Sequence, residues 1–275
     1  MKKDILIEML DKQFKLNAGI AGEDWILGMT ESGKQINWPR TIYMETIELM
    51  DSYPWKHWKG IDQKVDMANV HIETVDIWHF IMSLVIENMF DLAYKEIESK
   101  ELDVNSPEKV MTPSEMWNAG LRESTANHIL NIFQAEDDNN FAKESVAKMH
   151  PNADNINKEL RAFEELTVLS VMLSRLRSNK TNAFFPEEYD ALVFNVIALF
   201  RHITTEIVSL DIVKLYNGKS VLNQFRQDHG YKEGTYIKEW NYEGKKVEDN
   251  VAMAALIESE DLYTALEEVY SEQLA

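Results

Sequence analysis

Two stretches of the chain carry carboxylates at helical spacing. In TIYMETIELMDSY, Glu45 and Glu48 stand three residues apart, and in NVHIETVDIWHF so do Glu73 and Asp76. Residues at i and i+3 share a helix face, so each pair projects two anions in one direction. They are set among apolar neighbours: Ile42, Met44, Ile47 and Leu49 on one helix, Ile72, Val75, Ile77, Trp78 and Phe80 on the other. Anions in apolar surroundings are costly unless a cation meets them. Either pair alone fits a gap where a helix faces solvent. Two pairs on consecutive helices that pack antiparallel fit a shared cation site better. Hard cations such as Mg²⁺ take clustered carboxylate oxygens, and helix bundles build such sites from inward-facing side chains. Di-iron sites on this scaffold use Glu-x-x-His, whereas here the third residues on are Glu48 and Asp76. His79 follows Asp76 by three, which keeps iron as an alternative, but all-oxygen ligation favours Mg²⁺.

The second chemical segment is GKSVLNQFRQDHGYKEGTYIKEWN, residues 218–241. It brings together Lys219, Arg226, Lys232 and Lys238, interleaved with Tyr231, Tyr236 and Trp240. Lys219, Asn223 and Arg226 fall on one helical face, and the two later lysines lie in a glycine-containing loop. A fork-shaped guanidinium, flexible ammonium groups and an amide donor suit a phosphate clamp. The plainer alternative is a solvated surface helix. As a clamp, these cations are expected to lack partners until phosphates arrive, and the segment is expected to move. Basic and aromatic interleaving also suits single-stranded nucleic acid, but a net charge of −19 opposes stable nucleic-acid binding.

These residues need helices to position them. Periodicity predicts helices over about 4–16, 39–53, 66–100, 113–135, 137–148, 153–178, 187–216, 219–229 and 248–273, the last broken around Glu258. The stretch 17–39 is rich in turn signals, and 230–247 reads as a loop. The helix starting near residue 66 is apolar nearly all round between Val70 and Met89 and is therefore central. No strand pattern or internal repeat emerges, and the expected fold is an all-α antiparallel helix bundle.

Composition bounds the rest. The chain has 275 residues, 45% of them apolar, enough for one large domain or two closely packed lobes. It has no cysteine, which removes disulfides, thiolate metal sites and cysteine nucleophiles. The start, MKKDILIEML, lacks the uninterrupted apolar core of a signal peptide, and no apolar run is long enough to span a membrane. The expected location is cytoplasmic.

Taken together, the segments QFKLN (13–17), INWPRTIYMETIELMDSYPWKHWK (36–59), NVHIETVDIWHF (69–80), the 218–241 stretch and EDN (248–250) resemble the dimeric dUTPases of the all-α NTP pyrophosphatase superfamily. The ExxE and ExxD pairs combined with FRxxxGYKxGxYxK are highly specific. The resemblance implies a dUTP diphosphatase that converts dUTP, and dUDP, to dUMP, and that works as a homodimer. It implies that Glu45, Glu48, Glu73 and Asp76 hold two or three Mg²⁺ ions, with Mn²⁺ as a substitute. Glu48 matches the residue that positions and deprotonates the attacking water. Lys219, Asn223, Arg226, Tyr231, Lys232 and Lys238 match a phosphate-binding set, and Gln13, Asn17 and Trp58 match the uracil and deoxyribose region. It implies one domain, with a metal-binding core lobe over about 1–100 and 187–216 and a mobile clamp lobe over about 217–250 with adjoining helices.

The chain departs from the family pattern in three places. YEGKKV (242–247) is inserted before Glu248, His229 stands where asparagine is typical, and 99–185 matches only in being helical. A related pyrophosphatase for dCTP or another noncanonical dNTP would carry the same metal site. An acidic protein that sequesters a regulator is the reading from another class. Retention of all four carboxylates and the clamp favours an active enzyme, which is compatible with a regulatory protein partner.

Overall fold

The computed structural model describes residues 1–58, 64–100, 111–135, 155–178, 185 and 187–274. Helix α1 (Lys3–Ala21) forms because Leu6, Met9, Leu10, Gln13, Phe14 and Asn17 recur on one face, all of them buried. It continues a turn beyond the predicted end and stops at Gly22, whose positive φ of 97° suits glycine. A 3₁₀ turn (Glu23–Leu27) and a Met29–Gln35 bridge fill the turn-rich stretch. Helix α2 (Trp38–Asp51) starts at Asn37, whose side chain accepts from the Arg40 backbone N–H, with Pro39 in the first turn. Helix α3 (Met67–Lys100) is the central element, buried almost without interruption from Val70 to Phe90, and α2 packs along it.

A short α4 (Pro113–Met116) opens on a Thr112/Glu115 capping box. A π turn with Gly120 at φ 133° leads into α5 (Arg122–Gln134). The predicted 137–148 helix lies outside the described residues. Helices α6 (Asn155–Ser178) and α7 (Glu187–His202) complete the bundle around α3. No single helix among the described residues is long and apolar enough to cross a membrane.

The sequence predicts one helix over 187–216, and the structure breaks it. A π turn (Ile203–Ile207) and Ser209 at φ 52° end it, and α8 (Ile212–Asp228) starts afresh with Asp211 capping Val213 N–H. The predicted 219–229 helix is thus the second half of α8. The 230–247 loop is also corrected, because β1 (Glu239–Tyr242) pairs antiparallel with β2 (Lys245–Glu248). Glu243 and Gly244 both have positive φ, as a tight two-residue hairpin turn requires. The 242–247 stretch therefore forms that turn and most of the second strand. Helices α9 (Asp249–Leu256) and α10 (Leu262–Ser271) follow, separated where the sequence suggests.

Two apolar clusters result. The larger lies around α3 and includes Tyr216 from the start of α8. The smaller holds Leu222 and Phe225 from the end of α8, Trp240, Ala252, Met253, Leu266 and Tyr270. Helix α8 thus runs from one core into the other.

Candidate active site

The packing of α2 on α3 brings the two carboxylate pairs into one place. Ligand oxygens of Glu45, Glu73 and Asp76 lie within 4.8 Å of one another. Glu48, one turn further along α2, is exposed and stands on the wall of the same cavity, which has a volume of about 730 Å³. Burial, and then the charge of Asp76, pushes the Glu45 carboxyl up to about 8; the same two causes push Glu73 to about 7. A hydrogen bond between them raises Glu45 and lowers Glu73, so the two carboxyls share a proton. Three convergent carboxylates that cannot all ionise unaided fit a hard divalent cation, which would take the proton's place.

Helix α8 forms the opposite wall. Lys219 is buried to 2% exposure, with Nζ 2.8 Å from Asp76 Oδ2 and 2.6 Å from Asn250 Oδ1. Arg226 donates through Nε and Nη2 to the two oxygens of Asp249, both at 2.8 Å, and lies 5.7 Å from the Tyr231 ring centre. Asn223, Tyr231 and Lys238 also line the cavity, and Lys238 pairs loosely with Glu248 at 3.5 Å. The expectation that Lys219 and Arg226 are partnerless before phosphate arrives is therefore wrong. Asp76 and Asp249 already hold them, because burying either cation alone would be too costly.

At the α1 end the cavity is lined by Gln13 and Asn17. Gln13 Nε2 donates to Asn17 Oδ1 and Ser83 Oγ, at 2.9 and 3.0 Å, which turns its carbonyl oxygen toward His79 Nδ1 at 2.6 Å. His79 must then carry its proton on Nδ1. Burial above all depresses its pKa to about 4, so the ring is neutral and Nε2 is a buried acceptor without a partner among the described residues. His79 faces Gln13 and is not among the clustered metal-type ligands, so the Glu-x-x-His comparison with iron sites has no counterpart here.

Two residues implied by the resemblance lie apart from the others. Trp58 is 64% exposed, packs edge-on to Trp55 and His57, and is not on the cavity wall. Lys232 is exposed and also off the wall. Sequence reasoning gave no role to Ser83, Asp249 or Asn250, or to His79 beyond the iron comparison. The only signals were His79 at i+3 from Asp76, which puts it on the carboxylate face, and the EDN triplet.

Compared with known proteins, the chain matches the dUTPase family over residues 5–231, a span that includes all four carboxylates and the basic segment as far as Tyr231. No curated protein matches it. The family's enzymes are divalent-metal dependent, in keeping with the Glu45–Glu73–Asp76 cluster. With that match covering most of its length, an all-helical core and carboxylates facing cations across one cavity, the chain belongs to the dimeric all-α dUTPase family and is a dUTP diphosphatase.

Proposed function

We propose that this protein hydrolyses dUTP with Mg²⁺ to dUMP and pyrophosphate, and dUDP to dUMP and phosphate, thereby limiting uracil in DNA and supplying dUMP for dTMP synthesis. The observation that carries this reading is the meeting of two carboxylate pairs and a basic helix face across one cavity. Glu45, Glu73 and Asp76 would hold the metal, with Glu48 at its open side. Magnesium bound there would offset the carboxylate charge, contact the phosphate chain and make water a better nucleophile.

Glu48, exposed at the cavity rim, is the base in this reading. It takes a proton as the water oxygen bonds to the β-phosphorus, and the bond from that phosphorus to the α–β bridging oxygen breaks to leave dUMP. Lys219, Asn223, Arg226, Tyr231, Lys232 and Lys238 bind the phosphate chain and offset its charge as the β- and γ-phosphates become pyrophosphate. Lys232 and Lys238, both exposed, would reach the phosphates only as the smaller lobe closes. Gln13 and Asn17, with the free acceptor of His79 between them and the metal end, would meet the base and sugar. Trp58 would have to swing in from the surface to join them. A homodimer and a cytoplasmic location belong to the same reading.

Pyrophosphate release from each dNTP, with and without Mg²⁺, tests it. Release from dUTP should far exceed release from dCTP and should vanish when EDTA is added. Glu48→Gln should lower kcat by about 100- to 10,000-fold with KM little changed. A near-wild-type kcat would remove Glu48 from the chemistry.

A further inference from the structure

We propose that Asp249 is a positioning residue for the phosphate clamp: it fixes which edge of the Arg226 guanidinium faces the cavity. It rests on the reading of Arg226 as a phosphate ligand.

Asp249 is fully buried and is not on the cavity wall, whereas its neighbours Glu248 and Asn250 are. Its carboxylate accepts from Arg226 Nε and Nη2, each at 2.8 Å, and from the Tyr236 hydroxyl at 2.8 Å. Its Oδ1 also accepts from the Asn250 backbone N–H at 2.8 Å. Its own backbone N–H donates to the Lys238 carbonyl at 2.9 Å. One residue thus ties α8 to Tyr236 and Lys238 in the segment that leads into the hairpin, and that segment and α8 both carry cations of the clamp.

The geometry determines what Arg226 can offer a ligand. Nη2 also donates to Asn250 Oδ1 at 3.2 Å, and Nη1 to Asn223 Oδ1 at 3.3 Å. Of the five N–H groups of a guanidinium, the one left over is on Nη1. A phosphate oxygen therefore meets a defined edge of a charge that cannot rotate, and an arginine held this way loses little freedom on binding. Without the carboxylate, the same arginine would be a buried cation free to turn its fork away from the cavity.

Asp249→Asn keeps the shape but sets an amide N–H against the guanidinium donors. With Mg²⁺ present, affinity for inorganic pyrophosphate, measured by calorimetry, should fall about tenfold, the worth of one charged hydrogen bond. Affinity for deoxyuridine should stay unchanged. Tyr236→Phe, which removes a single donor to Asp249, should shift pyrophosphate affinity in the same direction by less, and it serves if Asp249→Asn folds poorly. In an Arg226→Ala background, Asp249→Asn should add little further loss. Equal losses for pyrophosphate and deoxyuridine, or additive losses in the double variant, would mean that Asp249 only supports the fold, and would overturn the proposal. Unaltered pyrophosphate binding in Asp249→Asn alongside a loss in Arg226→Ala would overturn the positioning role alone. Unaltered binding in Arg226→Ala would overturn the reading of Arg226 as a phosphate ligand, and the positioning role with it.

Discussion

Glu45 and Glu73 share a proton because burial and the charge of Asp76 disfavour ionising both. Both carboxyls titrate above their ordinary value of 4.5, at about 8 and about 7. The folded protein therefore binds more protons than the unfolded chain over that range, and its stability falls as pH rises. His79 works the other way, because its depressed pKa adds stability as pH rises from about 4 to 6.5 and nothing beyond. The carboxylate effect should thus stand clear of that histidine between pH 6.5 and 8. In EDTA, the melting temperature is expected to drop across this interval, by an amount on the order of several degrees. Saturating Mg²⁺, which in the proposed reading would bind the ionised carboxylates of the folded state only, should cancel or reverse the drop. A Glu45→Gln/Glu73→Gln variant should show a flat profile and little response to Mg²⁺. A wild-type profile that is flat in EDTA would mean that the two carboxylates are not held close enough to share a proton.

At the scale of elements, the start of α2 is anchored from α6. Arg177 and Glu87 form a buried ion pair, at 4% and 2% exposure, with Nη2 to Oε1 at 2.6 Å. Arg177 Nε also donates to the Ile36 carbonyl at 2.9 Å, and Asn37 Nδ2 donates to Ser174 Oγ at 3.0 Å. Gly28 lies against the pair: a Cβ there would come within 2.6 Å of Arg177 Nη2, at a φ of +82°. The segment leading to Glu45 and Glu48 is thus pinned by a residue 141 positions away. Arg177→Ala strips the buried Glu87 carboxylate of its guanidinium, and chemical denaturation should register a loss of about 3–5 kcal/mol. Replacing both partners, Arg177→Met with Glu87→Leu, should recover much of that loss. If the double variant is no more stable than Arg177→Ala, the cost lies in the Ile36 and Gly28 contacts and not in the broken ion pair.

For the whole molecule, the relation between its two cores matters most. Helix α8 contributes Tyr216 to the larger core and Leu222 and Phe225 to the smaller, and Gly218 between them is packed against Met253 and Ile257. Closure of the smaller lobe over bound nucleotide would bring Lys232 and Lys238 inward and exclude water from the phosphates. Hydrogen exchange across 230–238 is expected to slow when a nonhydrolysable dUTP analogue and Mg²⁺ are added together. The stretch 222–228, hydrogen-bonded within α8 and buried at Leu222, Phe225 and Arg226, should already be protected without ligand and change little. Equal slowing in both stretches would favour general stiffening over movement of a lid.

The sequence by itself determined the all-α class, the central place of α3 and the face on which each carboxylate pair projects. All of these depend on neighbours three to seven residues apart, where helical geometry leaves little choice. Asp211 as a helix cap was legible too, but the helical period on either side masked it, and the Glu-Gly pair stands in a stretch with no strand alternation to mark a hairpin. Only the tertiary structure decided that Glu73 and Asp76 meet Glu45 and leave Glu48 at the rim. It also decided that Lys219 reaches Asp76, that Asp249 holds Arg226, and that Trp58 lies outside the cavity. These pairings join distant parts of the chain. They are fixed by which buried charges can neutralise one another once the helices have packed, and spacing along one strand of sequence carries no record of that.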